Sequence, residues 1–476
     1  MKGLKGNTIF PIGAFCAPQP PITTDGKEYP NKITEEQYQL LAECGVNLVY
    51  AHNEVMGTET ENYAFAALDL AEKVGVKYLV RDSISKEYAA TAGDMDKWFK
   101  TLTEEEKADL DQRYEQALKR YCNHPAFGGV CFMDEPGYDA FEGIARAKKV
   151  FDRVCPNKIF YVNMFPYYIS PEQFQYGYWT GMKTEYKATI PEFAIREDGR
   201  NIERYKKLYE GALEVAGLEF FSYDAYPFWT VCKGAETGVH EALWEIPQFL
   251  GGMQRKNGVP FWSFLQAGGL WEGSTHVRVP TFAETSLGMG VPLLYGAKCL
   301  QVFPYAYPND WLGDNQADAG LIDAYGNKTE RYEWFKQLFT HVQSMAETLL
   351  TAKLEGVMVT GRYENGLDEA TVVTQPWNEC VYQGKLSNCE NMTIENFASL
   401  EGLEAETQCL CGCFTSGGKE CFLVLNNSTT KGVFAKCLFR ADGEFEITQR
   451  AEKRTETGKA VALELAAGEF VLIRRI

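Results

Sequence analysis

The sequence predicts an α/β chain: a (β/α)8 barrel over residues 1–352 followed by an all-β domain over 353–476. Three observations carry that prediction. Between about residues 8 and 350, strand-like and helix-like segments alternate eight times, the count of a closed parallel barrel. The first strand passes into FCAPQPP, not into the glycine-rich phosphate turn expected of the rival doubly wound sheet. Beyond 354 the texture changes to short alternating runs separated by turn signals such as SGGK and ADGE, which predicts a β-sandwich.

Each barrel unit follows from local chemistry. FPIGAF (10–15) reads as the first strand, and the helix over 34–44 opens with Thr34 and Gln37 at capping-box spacing. VNLVYAHNE (46–54) and VKYLVRD (76–82) read as the second and third strands, separated by the helical spacing of 62–75, which stops at Gly75. A long helix from Thr103, with Glu106 three residues on, leads to FGGVCFMDE (127–135), the fourth strand. The helix at 139–154 leads to KIFYVNMFP (158–166). A Tyr- and Phe-rich excursion over 167–200 follows, in which Ser170 and Pro171 suit the start of a short helix. The helix at 202–216 precedes LEFFSYDAYP (218–227), and the helix at 238–256 precedes VPFWSFLQAGG (259–269). A helical segment at 279–296 leads to the eighth strand, AKCLQVFPY (297–305), and a last helix over 331–350 closes the barrel region.

Composition limits what such a chain binds. A length of 476 residues exceeds one ordinary domain, and 45% hydrophobic residues supply a large core. A formal net charge of -18 argues against nucleic-acid and anionic-membrane partners and disfavours a polyanionic substrate, unless a local basic pocket overrules it. The N-terminal stretch is broken by Pro and Gly and does not read as a signal peptide, and no apolar run is long enough for a membrane span. The 14 cysteines lack a framework spacing, so they read as reduced thiols of a cytoplasmic protein. Cys409, Cys411 and Cys413 alternate on a strand and would share one face, but no histidine lies nearby and turn-spaced ligands are missing. No metal and no cofactor is expected.

A barrel of this kind carries its chemistry at the C-terminal strand ends. Those ends supply Asn53 and Glu54 after His52, Arg81 and Asp82, Asp134 and Glu135, Asn163, Tyr223 with Asp224 and Tyr226, and Gln266 beyond Trp262. Trp271 and Glu272 follow strand seven, and Tyr305, Tyr307, Asp310 and Trp311 follow strand eight. This is a mouth of carboxylates, amides and aromatic rings, with no metal-ligand cluster, phosphate cradle or Ser-His-Asp arrangement. Rings stack on the apolar faces of pyranosides, and acids and amides bind hydroxyls, so the substrate class indicated is an oligosaccharide. Hydrolysis of a glycosidic bond needs one protonated and one ionised carboxyl group. Glu135 is the foremost candidate for the acid, because it ends a strand of small and apolar residues and Pro136 stiffens the exit. Asp224 is the foremost partner, with Glu54 in reserve. Each of these acids could instead cap a helix or pair with an arginine, and each ring could belong to the core.

With Glu135 at the end of strand four, LYGAKCLQVFPY (294–305), GLIDAYGNKTERYEWFKQL (320–338) and a C-terminal β domain, the chain resembles the retaining (β/α)8 glycoside hydrolases that include the family 42 and family 35 β-galactosidases. The likeness spans most of residues 8–476 at the level of layout and short motifs. It implies an exo-acting hydrolase of a β-linked oligosaccharide, with Glu135 as acid/base, and a homo-oligomer. Two departures matter. That clan usually has Asn before the acid/base, where this chain has Asp134, and a Glu nucleophile ending strand seven, where this chain has Gln266. Three schemes stay open: another acid (Asp224, Glu54 or Glu272) replaces the nucleophile; the enzyme inverts, with Asp224 activating water; or Asp134 and Glu135 resemble the pair of the hexosaminidases that use the substrate's own acetamido group, with Tyr223 near the forming ring. Strict strand alternation would turn Asp134 away from Glu135 and weaken the last scheme. A carbohydrate-binding barrel without catalysis and a lyase or transglycosidase are the rival functions.

Overall fold

The computed structural model describes residues 8–24, 26–89, 98–167, 169–177, 190–195, 202–229, 238–240, 242–269, 277–307, 320–360, 386–387 and 399–476. Trp271, Glu272, Asp310 and Trp311, singled out in the sequence, lie outside the described residues.

Eight strands close a parallel barrel: β1 (Ile12–Ala14), β2 (Leu48–Met56), β3 (Lys77–Asp82), β4 (Phe127–Asp134), β5 (Ile159–Met164), β6 (Phe221–Tyr223), β7 (Phe261–Gln266) and β8 (Cys299–Phe303), neighbours in chain order, with β8 returning to β1. The connecting helices are α1 (Glu35–Glu43), α2 (Glu61–Lys73), α3 (Glu104–Tyr121), α4 (Phe141–Val154), α5 (Ile202–Glu214), α6 (Ala242–Asn257), α7 (Phe282–Leu294) and α8 (Glu330–Ser344). Their starts obey the capping chemistry legible in the sequence. The Thr103 hydroxyl accepts from the Glu106 amide while the Glu106 carboxylate accepts from the Thr103 amide, and Ser170 and Gln173 do the same ahead of a short helix with Pro171 in its first turn. Strand β6 is only three residues long, shorter than the hydrophobic run 218–227 predicts.

Contacts within the chain define two compact units, one mainly Gly13–Ala42 and Val46–Asp224, the other mainly Glu43–Gly45 and Ala225–Ile476. In the first unit, the β3–β4 register shifts between Tyr78↔Phe127 and Leu79↔Gly129, and two further irregularities lie nearer the strand ends. The β2–β3 register jumps from Tyr50↔Leu79 to Val55↔Arg81, so His52, Asn53 and Glu54 bulge out of the ladder. The β4–β5 register slips between Cys131↔Tyr161 and Met133↔Val162, one extra residue just before Asp134.

In the second unit the β domain comprises β9 (Lys353–Thr360), β10 (Leu400–Ala405), β11 (Cys409–Ser416), β12 (Lys419–Asn426), β13 (Val433–Gln449), β14 (Glu452–Leu465) and β15 (Phe470–Arg475). The expected all-β domain is present, but its strands form one hydrogen-bonded antiparallel sheet and not two separate layers. Strand β13 pairs with β10 along its first half and with β15 along its second, with a register break between Leu438 and Gly443. That long strand lets the sheet curl round a core that includes Phe422, Phe439, Phe445 and Ile447. Cys409, Cys411 and Cys413 are buried in the same core, which accounts for their alternation by packing. The sheet docks on barrel helices of its own unit: Trp244 Nε1 donates to Asn427 Oδ1 at 2.9 Å, and Ser286 Oγ to the Gly468 carbonyl at 2.7 Å. His341 Nδ1 accepts from the Ala451 amide, so its Nε2 carries the proton given to the Phe470 carbonyl.

The loop after β4 closes against the helix Pro171–Tyr176 with no room to spare. A Cβ on Gly137 would stand 2.3 Å from the Gly177 nitrogen, and one on Gly177 would stand 2.7 Å from the Glu135 carbonyl oxygen. Gly137→Ala therefore forces the Glu135 loop outward. Its expected cost is about 1–3 kcal/mol, read as a lowered urea midpoint with unchanged slope.

Candidate active site

Three carboxyl groups converge at the ends of β4 and β6: Asp134, Glu135 and Asp224. Adjacent strand residues ordinarily face opposite ways, and two features defeat that rule here. The bulge at Cys131–Met133 resets the phase of β4, and Glu135 takes a left-handed backbone at φ 46°. Left-handed backbone is costly for a residue with a long side chain, and such strain concentrates at functional sites. The Glu135 amide is nevertheless paired, donating to the Asn163 carbonyl at 2.9 Å.

Asn163 organises the cluster. Its position is fixed from below by a chain of donors: the Tyr161 hydroxyl to Ser222 Oγ (2.9 Å), then Ser222 Oγ to Asn163 Oδ1 (3.0 Å). With its oxygen occupied, the Asn163 amide nitrogen is left to donate. It reaches Asp134 Oδ1 at 3.1 Å and also bonds Asp224. Asp224 makes a further hydrogen bond to Glu135. Two ionised carboxylates are both acceptors only, so that bond requires a proton held between them.

The electrostatics agree. Burial, then the negative charge of Asp134, push the Asp224 carboxyl up to about 7, against a downward pull from its bonds to Glu135 and Asn163. Asp134 is also raised, chiefly by burial, while Asn163, Arg81 and His52 pull it down. Asp134 is nonetheless exposed to solvent at the mouth, which screens these charges, so its shift carries little energetic weight. Tyr209, whose hydroxyl donates to the Phe165 carbonyl, is buried within the field of Asp224 and Glu135.

The other expected residues divide clearly. Glu54 is wholly buried, accepting from the Tyr78 hydroxyl at 2.6 Å and from the His52 amide at 3.3 Å. It belongs with Tyr78 and Tyr38, and burial raises its carboxyl. Asn53 Nδ2 donates to Gln19 Oε1 at 3.0 Å. Asp82 caps the turn beyond β3, accepting from Ile84 N and the Tyr121 hydroxyl, the bland role open to any strand-end acid. Tyr223 is buried beside Tyr205 and Tyr209. In the second unit Tyr226 packs on Phe303 with ring centres 5.1 Å apart, Trp262 is fully buried in β7, and Tyr305 is fully buried near Cys44 and Tyr332. All four rings are buried, Trp262 and Tyr305 completely. Tyr161, Ser222 and Tyr209 were not singled out as site residues in the sequence. Tyr161 carried a usable signal, since it lies two residues before Asn163 on the same strand.

Gln266 is committed to the backbone. Its Oε1 accepts from the Phe228 amide at 3.0 Å, and its Nε2 faces the carbonyls of Arg278 (2.6 Å), Phe228 and Gly268 (both 3.3 Å). The Arg278 side chain in turn grips the Glu284 carboxylate at 2.7 and 2.5 Å, at the capped start of α7. An amide can serve that crossing of one donor and three acceptors; a carboxylate cannot. Among the described residues, no group of His, Cys, Asp and Glu could hold a metal ion, and no helix is long and apolar enough to cross a membrane.

No protein-family model matches the chain, and no curated protein does. Solved structures do resemble it. A family 42 β-galactosidase superposes with a TM-score of 0.54 at 8% identity, over 92% of this chain and 95% of that one. A β-galactosidase from the psychrophilic Marinomonas ef1 gives 0.46 at 11% identity, over 72% of this chain and 62% of that one, so the chain spans under two thirds of that enzyme's length. A family 39 glycoside hydrolase from Bacteroides cellulosilyticus WH2 gives 0.47 at 11% identity, over 98% and 81%. At 8% identity the likeness to the family 42 β-galactosidase shows the fold alone, a (β/α)8 barrel with a β domain, and leaves the chemistry to the residues above.

Two outcomes follow. Because the Asp224 carboxyl is raised in the folded state, the folded chain binds an extra proton between the ordinary aspartate range and about 7. That contribution to stability is full below the ordinary aspartate range and is lost as pH rises through about 7. Urea titrations at stepped pH should show this fall in the native protein and a flatter profile in Asp224→Asn. Gln266→Glu should lower the melting temperature, because its carboxylate would face three carbonyl oxygens, a cost of about 1–3 kcal/mol or more. It should also fail to create a nucleophile, scored by whether a slow-leaving fluoroglycoside labels the protein.

Proposed function

We propose that this chain is a glycoside hydrolase acting on a β-linked saccharide, with Glu135 as the proton donor to the leaving glycosidic oxygen. What supports the reading is the pairing of Glu135 with Asp224 at the ends of β4 and β6, on either side of β5, where burial raises the Asp224 carboxyl to about 7 and so favours a proton in the mouth below that pH. Asp224 keeps that proton available before reaction; once Glu135 gives it up, two carboxylates face each other, and their repulsion favours return of a proton to the pair from water. The free thiols of the described cysteines fit a reducing, cytoplasmic setting.

A second reading concerns the nucleophile. Retaining enzymes set their two carboxyl groups ~5 Å apart and inverting ones ~6.5–9.5 Å. A hydrogen-bonded pair is closer than either, so Asp224 is poorly placed to attack the far face of a sugar held by Glu135. Gln266 is no substitute, being an amide bonded to backbone. The remaining source is the substrate itself. Asp134 shares the mouth with Glu135, the condition on which the acetamido scheme depended. In that scheme Glu135 protonates the leaving oxygen and the C–O bond breaks as the acetamido oxygen closes on the anomeric carbon. Asp134 accepts from the acetamido N–H, and Glu135 then takes a proton from the water that opens the ring. This reading favours a 2-acetamido sugar.

Glu135→Gln is expected to lower kcat by about 10²–10⁴-fold on a natural disaccharide and much less on a dinitrophenyl glycoside, whose leaving group needs no proton. Equal losses on both substrates would sink the assignment. Replacing the N-acetyl group by hydroxyl in the same aryl substrate should abolish turnover under the second reading and leave it intact under a simple two-carboxylate mechanism.

A further inference from the structure

Arg81 is the unexplained charge of this mouth. It ends β3 opposite Val55, beside the β2 bulge, and is half-buried. Its Nη1 donates to the His52 carbonyl at 3.1 Å. Among the described residues its guanidinium makes no ion pair and no other hydrogen bond, although such a group offers five N–H donors. A half-buried arginine ordinarily spends those donors on a carboxylate. Asp134 lies near enough for Arg81 to bear on its ionisation yet outside ion-pairing distance, so the guanidinium sits beside the catalytic cluster without being consumed by it. Lys86, in the turn Ser83–Tyr88 that follows β3, adds a second positive group. It too has no ion pair among the described residues, and its ammonium is pulled below the usual lysine range by partial burial and then by the charge of Arg81. Glu87 next to it does not neutralise either cation, because it is bound by Arg113 at 2.8 Å. Among the described residues two cations, half-buried Arg81 and exposed Lys86, thus stand near one another with no ion pair, in a chain of net charge -18.

We propose that Arg81, supported by Lys86, forms a subsite for a single oxyanion carried on a sugar ring, so that the substrate is an acidic saccharide bearing a uronate carboxylate or a sulfate ester. The fork of a guanidinium matches either group bidentately. One local anion is acceptable where a long polyanion is not, because the surrounding negative charge repels each further anionic unit. This inference rests on the glycosidase reading for the catalytic consequence but not for the binding.

Binding is therefore the test. Calorimetry with methyl β-glucuronide, glucose 6-sulfate and methyl β-glucoside on the full chain should show at least one anionic sugar bound about tenfold or more tightly than the neutral one, that is, by about 1.4 kcal/mol. Which of the two binds separates carboxylate from sulfate. The preference should fall as salt is raised, disappear in Arg81→Gln, survive in part in Arg81→Lys, and shrink in Lys86→Gln. Melting curves of the variants confirm that each is folded, and Arg81→Lys covers the case in which Arg81→Gln is not. A wild-type protein with no preference for the anionic sugars, or a preference untouched by Arg81→Gln and Lys86→Gln, overturns the subsite. Failure of the hydrolase reading looks different: no turnover of any glycoside while the anion preference stands.

Discussion

A hydrogen bond between two carboxyl groups exists only while one of them keeps its proton, and the bond between Glu135 and Asp224 sets that condition on everything around it. Bringing two acids together in a buried mouth with a third, Asp134, alongside is unfavourable unless charge is withheld or donors are supplied. The structure does both. The proton is retained in the pair, and the Asn163 amide is turned so that its nitrogen, not its oxygen, faces the acids. That orientation is not left to chance, because Ser222 and Tyr161 occupy the amide oxygen from the other side.

The backbone had to be bent to reach this arrangement. A regular β4 would have placed Asp134 and Glu135 on opposite faces. The extra residue before Asp134 and the left-handed φ of Glu135 break the alternation in succession, and the tight approach of Gly137 to Gly177 clamps the loop that results. Strain of this kind is retained where neighbouring packing over-determines it. The same logic runs through β2, where the bulge at His52–Glu54 buries Glu54 against Tyr78 and turns the His52 carbonyl toward Arg81.

Much of this was legible in the sequence, because barrel topology converts strand ends into neighbours. FGGVCFMDE, KIFYVNM and SYDAYP named Asp134, Glu135, Asn163 and Asp224 from alternation and hydrophobic runs alone, and the structure brings those four together. The capping boxes at Thr103 and Ser170 were equally plain, being determined by residues three apart. What escaped depends on phase. Periodicity assigns a face only while the ladder is regular, so the bulges hid both the convergence of Asp134 with Glu135 and the burial of Glu54. Tyr305 was drawn to the mouth by its place just beyond a strand end and Trp262 by grouping with it, but Trp262 is the second residue of β7, at the end opposite Gln266, and both rings are fully buried. The role of Gln266 was invisible for another reason: its partners are backbone groups of loops at 228, 268 and 278, and no side-chain pattern reports where a loop carbonyl points.

Gln266 also bears on whether the barrel has lost a function or works in a different way. A site in which a nucleophilic glutamate had merely decayed to glutamine would leave an amide facing the mouth with its hydrogen-bonding groups unspent. Here both ends of the amide are committed, and the loop they hold is gripped again by Arg278 and Glu284, so the structure is built on the amide and would be disturbed by the acid. The raised Asp224 carboxyl costs stability as pH rises through about 7. Glu135 and Asp224, on the left-handed backbone of Glu135, combine a perturbed acid with a strained turn, the combination that marks a candidate functional site.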